Sequence, residues 1–244
     1  MTTEIKTAGT RSKFAGLDFV WVPNGSFMMG SPENEEMRND DELLHLVNIS
    51  QGFWLGRTPI TQIQWETVMG KNPSRFVKNS FLNSTKNHPV ESISWECAHN
   101  FIEKLNNQDQ GHFSLPTEAQ WEHACRYGGK IEEQLQKNNA KQLGWYATNS
   151  QQRTHPVTQK KANGLGLYDM LGNVWEWTSD WYGPYDASTQ TDPIGASSGI
   201  SRVRRGGSWR DPEDTLRCSY RLGYSPDRRL SGLGLRILRK EDEV

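Results

Sequence analysis

Apolar and polar residues along this chain fall into short segments with two different periods. Leu17–Val22 and Ser26–Met29 carry strand-like runs joined at Pro23-Asn24-Gly25, a turn sequence. Beyond a polar, acidic segment from Ser31 to Glu42, which reads as a solvated face, Leu43–Ile49 alternates as a further strand does. Helical spacing then takes over. Thr61-Gln-Ile-Gln64 fits a capping box, predicting a helix to Met69 that Gly70 stops. Ser94 is placed to cap a second helix, whose Cys97/Ala98, Phe101/Ile102 and Leu105 recur on one face. Thr117-Glu-Ala-Gln120, behind Pro116, is another capping box, and its helix should bury Trp121, Ala124 and Cys125 before Gly128-Gly129 ends it. Strands near Arg202–Trp209 and Leu233–Leu238 are expected to close a small sheet. Residues 1–16 read as a mobile tail and 17–240 as one domain.

From about Asn139 to Ile200 neither period persists. The centre of this stretch runs Asn163-Gly-Leu-Gly-Leu-Tyr-Asp-Met-Leu-Gly-Asn-Val-Trp-Glu-Trp177, followed by Thr178-Ser-Asp-Trp181. A loop-rich segment of this length needs something to hold it. Asp169 and Glu176 bracket a bend at Gly172-Asn173, an arrangement suited to a hard cation held by carboxylates and intervening carbonyls. The competing reading is a tryptophan-packed turn whose two acids face water.

Composition narrows the classes. The chain has 244 residues, 34% of them hydrophobic, with ten tryptophans and a net charge of −1, enough to bury a sizeable core. That charge by itself points to neither a nucleic-acid nor a membrane partner. No apolar run is long enough to cross a bilayer, the start lacks the apolar core of a signal peptide, and three cysteines do not make a disulfide scaffold. A cytoplasmic location is the expectation. Residues 201–240 hold ten arginines and one lysine against four acids. Such a cluster either steers anionic ligands or, more commonly, pairs with acids of the same fold. The six histidines show no i, i+4 pair of a helical zinc site. Cys97 is expected to be a core thiol.

The order of motifs resembles the formylglycine-generating enzyme, or sulfatase-modifying-factor, family. Carrying the resemblance are Phe19-Val-Trp-Val-Pro-Asn-Gly25, Phe27-Met-Met-Gly-Ser31, Thr58-Pro-Ile-Thr61, His88-Pro-Val90 with Ser94-Trp95, Leu115-Pro-Thr-Glu-Ala-Gln-Trp121 and Thr154-His-Pro-Val157. The central block, Arg205-Gly-Gly-Ser-Trp209 and Gly234-Leu-Arg236 complete it. The resemblance spans residues 17 to 238. It implies an α+β fold related to C-type lectins, with little regular secondary structure.

It also implies a calcium site built from the side chains of Asp169 and Glu176 and the carbonyls of Gly172 and Val174. A second family site, near Asn149, lacks an acidic ligand here. Family members that oxidise a substrate cysteine carry two thiols shortly after the Gly-Gly-Ser-aromatic motif, where copper can bind. In this chain Trp209–Arg217 holds no cysteine, and Asp211 stands where the first thiol would fall, so copper is not expected. Cys125 and Cys218 match a structural disulfide of secreted members; a second family pair falls on Ile102 and Ile237, a bridge exchanged for an apolar contact.

These departures favour a non-catalytic module that binds a protein or small-molecule ligand. Relatives of the fold include variable proteins of diversity-generating retroelements, whose C-terminal segment displays diversified positions. Here the matching frame covers residues 210–233, with Arg210, Asp211, Leu222, Tyr224, Ser225, Arg228, Leu230 and Ser231 as candidate ligand contacts. The alternatives are an accessory factor that binds a partner protein, and an oxidoreductase working with other ligands on the same scaffold.

Overall fold

The computed structural model describes residues 6–77, 84–108, 111–129, 131 and 139–241. Three sheets organise them. In the first, β1 (Arg11–Phe14), β2 (Leu17–Val22), β5 (Phe53–Gly56), β12 (Leu238–Arg239) and β6 (Phe113–Ser114) lie side by side, all antiparallel. In the second, β3 (Gly25–Met29) pairs with β4 (His45–Ile49), which pairs with β8 (Gln190–Thr191). In the third, β10 (Arg221–Tyr224), β9 (Arg202–Arg205), β7 (Trp175–Trp181) and β11 (Leu233–Leu235) follow in that order, with β7 and β11 parallel.

The helices form where their caps direct. Thr61 and Thr117 close complete capping boxes on α1 (Gln62–Met69) and α3 (Glu118–Arg126), and Ser94 accepts from the Cys97 amide to open α2 (Trp95–Asn106). Gly70 ends α1 in the left-handed conformation. Two apolar clusters fill the interior. Alternation on β2 sends Val20 and Val22 into one and Phe19 and Trp21 into the other, so the first sheet divides them. Ile102 and Ile237 share the second cluster.

Four expectations need correction. The tail assigned to residues 1–16 is structured where it can be described: Arg11–Phe14 pair with Leu17–Val20, and residues 1–5 lie outside the described residues. Trp175–Trp181 is one of the two inner strands of the third sheet, with both of its faces largely covered. A strand buried on both sides shows no polar alternation, which is why the pattern hid it. Cys97 is only half-buried, its Sγ 3.2 Å from Nη2 of Arg229, because it lies at the edge of the α2 apolar face. The acidic segment is not simply solvated either. Glu42 is fully buried and accepts twice from Arg217, at 2.6 and 2.7 Å.

That last contact is part of a wider pattern. Arg221 clamps Glu118 through Nε and Nη2 at 2.8 and 2.9 Å, and Arg205 pairs with Glu122. Arginines near the end of the chain thus neutralise acids on α3 and after β3. Removing one partner of such a pair leaves an uncompensated buried charge, at a cost of about 3–5 kcal/mol.

Cys125 and Cys218, 93 positions apart, bring their sulfurs to 2.9 Å as buried thiols. Mild oxidation of the native protein should therefore lower its intact mass by two hydrogens, and peptide mapping should locate the bridge between these two. Bridges involving Cys97 instead would contradict the placement.

Candidate functional site

The central bend is made by residues with positive φ. Asp169, Gly172 and Asn173 have φ of 53°, 72° and 64°, conformations that glycine and asparagine tolerate best. A Cβ on Gly172 would come within 2.4 Å of the Trp145 carbonyl oxygen, so only glycine fits. Gly172 donates to the Gly206 carbonyl at 2.7 Å, and the Asn173 carbonyl accepts from the Trp209 amide at 3.0 Å. The bend therefore carries the Gly206–Trp209 loop. Asn173 Nδ2 reaches Asp169 Oδ1 at 3.3 Å, and the Thr158 amide donates to Asp169 Oδ2 at 2.8 Å. Burial raises the Asp169 carboxyl to about 6.

Of the calcium set expected at this bend, the Glu176 carboxylate is engaged by donors of the chain itself. Glu176 is an acceptor with about four lone-pair positions, and three N–H donors, Nε and Nη2 of Arg236 and Nε1 of Trp121, share its two oxygens. Arg236 reaches Oε1 at 2.8 and 3.2 Å and Oε2 at 3.0 Å, while Trp121 Nε1 donates to Oε2 at 2.7 Å. A dication beside Glu176 would have to displace or approach the Arg236 guanidinium, and like charges at that range repel. The counter-charge for this carboxylate is supplied by the chain. Among the described residues no three His, Cys, Asp or Glu side chains converge as a metal site.

Beside the bend, two cavities meet at Arg210. The smaller, about 180 Å³, is walled by Trp175, Arg204, Ser208, Asp211 and Leu230. The larger, about 440 Å³, opens between Arg75, Gln152, Trp209 and Ser231. Asp211 Oδ2 accepts from Trp175 Nε1 at 2.7 Å and from Ser208 Oγ. Trp209 is fixed by its indole N–H on the Ser231 carbonyl at 2.8 Å and by Phe76, edge-on at 5.3 Å. Arg204 lies 4.6 Å from the Trp175 ring and 4.8 Å from the Tyr224 ring. Its pKa is pulled below the ordinary arginine range, chiefly by burial and against the attraction of Asp211.

Glu91 joins the two rims. Its carboxylate is buried and accepts from the Phe76 amide at 2.9 Å and from Ser92 Oγ at 2.7 Å, while the Ser92 amide holds the Leu230 carbonyl. Burial pushes Glu91 up to about 7.

Arg210, Asp211, Leu230 and Ser231 come together on these cavities. Tyr224 stands behind Arg204, and Leu222 packs against the second apolar cluster, half-buried. Ser225 donates to Asp227, and Arg228 is exposed; neither lines the cavities. The sequence reading passed over Arg204, Trp175, Ser208, Arg75 and Glu91. A signal existed for Arg204. Alternation along Arg202-Val-Arg-Arg205 puts Val203 and Arg205 inward and sends Arg202 and Arg204 to the other face.

Fold and motif order define a sulfatase-modifying-factor domain: residues 4–241 match the sulfatase-modifying factor enzyme 1-like domain, and the chain belongs to that family. It is 34% identical to the formylglycine-generating enzyme of Bos taurus over 86% of this chain and 56% of that protein. It is 30% identical to the serine/threonine-protein kinase pkn1 of Chlamydia caviae over 90% of this chain and 37% of that protein. The chain thus spans between about a third and somewhat over half of these relatives. Treponema denticola variable protein 1 superposes with a TM-score of 0.81 at 28% identity, over 95% of this chain and 99% of that one. PvdO from Pseudomonas aeruginosa shares the fold, with a TM-score of 0.79 at 22% identity.

Two outcomes follow for this region. Because Arg236 supplies the counter-charge, chelator should leave the melting temperature unchanged, whereas Arg236→Met should destabilise by about 3–5 kcal/mol. A calcium-dependent melt lost in Asp169→Ala would reverse that assignment. Glu91 binds its proton more tightly folded than unfolded, so its contribution to stability declines as pH rises from 4.5 through about 7. Glu91→Gln should flatten the melting profile across that window; an unchanged slope would remove Glu91 from the account.

Proposed function

We propose that this chain is a ligand-binding member of the sulfatase-modifying-factor family that presents residues 210–233 around the paired cavities and does not oxidise thiols. One observation carries the reading. Where the family resemblance puts the first active-site thiol, this chain has Asp211, hydrogen-bonded by Trp175 and Ser208 within the cavity wall. Cys125 and Cys218 are buried against each other, and Cys97 lies on α2 beside Arg229. Thiolate chemistry at the cavity has no thiol to use.

Similarity to Treponema denticola variable protein 1 over nearly all of both chains supports a display role. In that role Arg210, Leu222, Tyr224, Ser225, Arg228, Leu230 and Ser231 are the variable contacts. None of them is fully buried, as contacts for an incoming protein or small molecule require. Arg210, Ser225, Arg228, Leu230 and Ser231 lie on loops, where such contacts concentrate, while Leu222 and Tyr224 lie on β10. The oxidase alternative rests on the identity shared with formylglycine-generating enzymes.

The decisive assay supplies copper, oxygen and a sulfatase peptide containing its target cysteine. No formylglycine is expected; conversion over multiple turnovers would overturn the reading. A display surface must also tolerate change. Arg210→Ala and Arg228→Ala should shift stability by no more than about 0.5 kcal/mol.

A further inference from the structure

The arginines around the third sheet divide into two groups. Arg205, Arg217, Arg221 and Arg236 each hold a carboxylate. Arg204 does not. Its Nε is buried without a hydrogen-bond partner, and no ion pair to it forms among the described residues. Arg210, shared by both cavities, likewise donates no side-chain hydrogen bond among the described residues. Two guanidinium groups therefore border a small cavity with their charges unmatched, apart from Asp211 across the wall. For Arg204, partly buried with an orphaned Nε, an unpaired charge is costly and a ligand anion would relieve that cost, while the exposed Arg210 adds a second positive charge at the rim.

We propose that the smaller cavity binds a carboxylate group of the ligand, held between Arg204 and Arg210. The geometry selects the class of anion. The Arg204 guanidinium carbon lies 4.6 Å from the Trp175 ring and 4.8 Å from the Tyr224 ring, and its planar fork of donors matches the two oxygens of a planar carboxylate. Asp211 contributes a negative charge to the same wall. That penalises a dianionic phosphate more than a singly charged carboxylate. Trp209 and Arg75 along the larger cavity leave room for the remainder of the molecule. A small dicarboxylate and an acidic peptide side chain share this chemistry. The inference rests on the binding reading above and adds the class of ligand.

Calorimetric titration of the intact chain separates the possibilities. The probes are glutarate, an acetylated and amidated Gly-Glu-Gly-Glu-Gly peptide, its Gln counterpart, and inorganic phosphate. At least one carboxylate probe should saturate the protein, and which one does so identifies the source. The Gln peptide should bind about tenfold more weakly or not at all. Arg210→Gln, an exposed position, should weaken carboxylate binding about tenfold with an unchanged melting temperature. Arg204→Lys should weaken it too, because an ammonium keeps the charge but loses the fork.

No saturation by either carboxylate below about 10 mM, equal binding of the Glu and Gln peptides, or tighter binding of phosphate would each overturn the proposal. So would unchanged affinity in Arg210→Gln. Such a failure without formylglycine formation leaves the binding reading in place with another ligand class. Formylglycine formation overturns that reading whatever the titrations give.

Discussion

Arg236 and Glu176 meet with almost no solvent around either side chain, at 2.8 Å and with exposures of 0% and 1%. Neither group can be buried alone, so every element that carries or contacts them is held in register. Glu176 lies on β7, an inner strand, and Arg236 follows β11. The remaining guanidinium hydrogens reach the carbonyls of Gly56 and Tyr168, both at 2.7 Å, while the indole of Trp121 joins from α3. One ion pair thus ties two sheets, a helix and the approach to the central bend. The bend in turn carries the Gly206–Trp209 loop through backbone hydrogen bonds.

The same device recurs with other partners. Arg221 and Arg205 anchor the third sheet to Glu118 and Glu122, adjacent turns of α3, and Arg217 anchors the segment just before Cys218 to Glu42. A fold with short strands has few ladder hydrogen bonds to hold it, and paired buried charges specify contacts between segments distant in sequence. The composition near the end of the chain reflects this: most of its inward arginines face acids. Arg204 departs from the pattern, and its departure coincides with the cavity. Buried, carboxylate-paired and cavity-lining arginines alternate along a single strand, Arg205 inward and Arg204 outward.

A carboxylate, Asp211, lines the cavity where the family resemblance would put a thiol, and the two groups support different chemistry. Asp211 is tied to the Trp175 indole and the Ser208 hydroxyl, hard donors that orient an oxygen acceptor. Aromatic faces, a carboxylate and two guanidinium groups favour recognition of a polar, charged ligand over soft-metal chemistry. One fold can carry different tasks through changes confined to such a site.

Local signals in the sequence determined the helices. Thr61, Ser94 and Thr117 cap through contacts only three residues long, so their consequences are readable without the fold. Motif order was equally legible and pointed to the family, and the match of Cys125 to Cys218 correctly brought together residues 93 positions apart. Only the tertiary structure decided the rest. Trp175–Trp181 became an inner strand because both of its faces found cover, which no periodicity announces. Glu176 meets a guanidinium because Arg236, sixty residues on, arrives at its carboxylate. Arg204 remained without a carboxylate because its strand face opens on a cavity that residues from four separate segments enclose. Charge identity is written in the sequence, but whether a charge is paired depends on distances that only the folded chain sets.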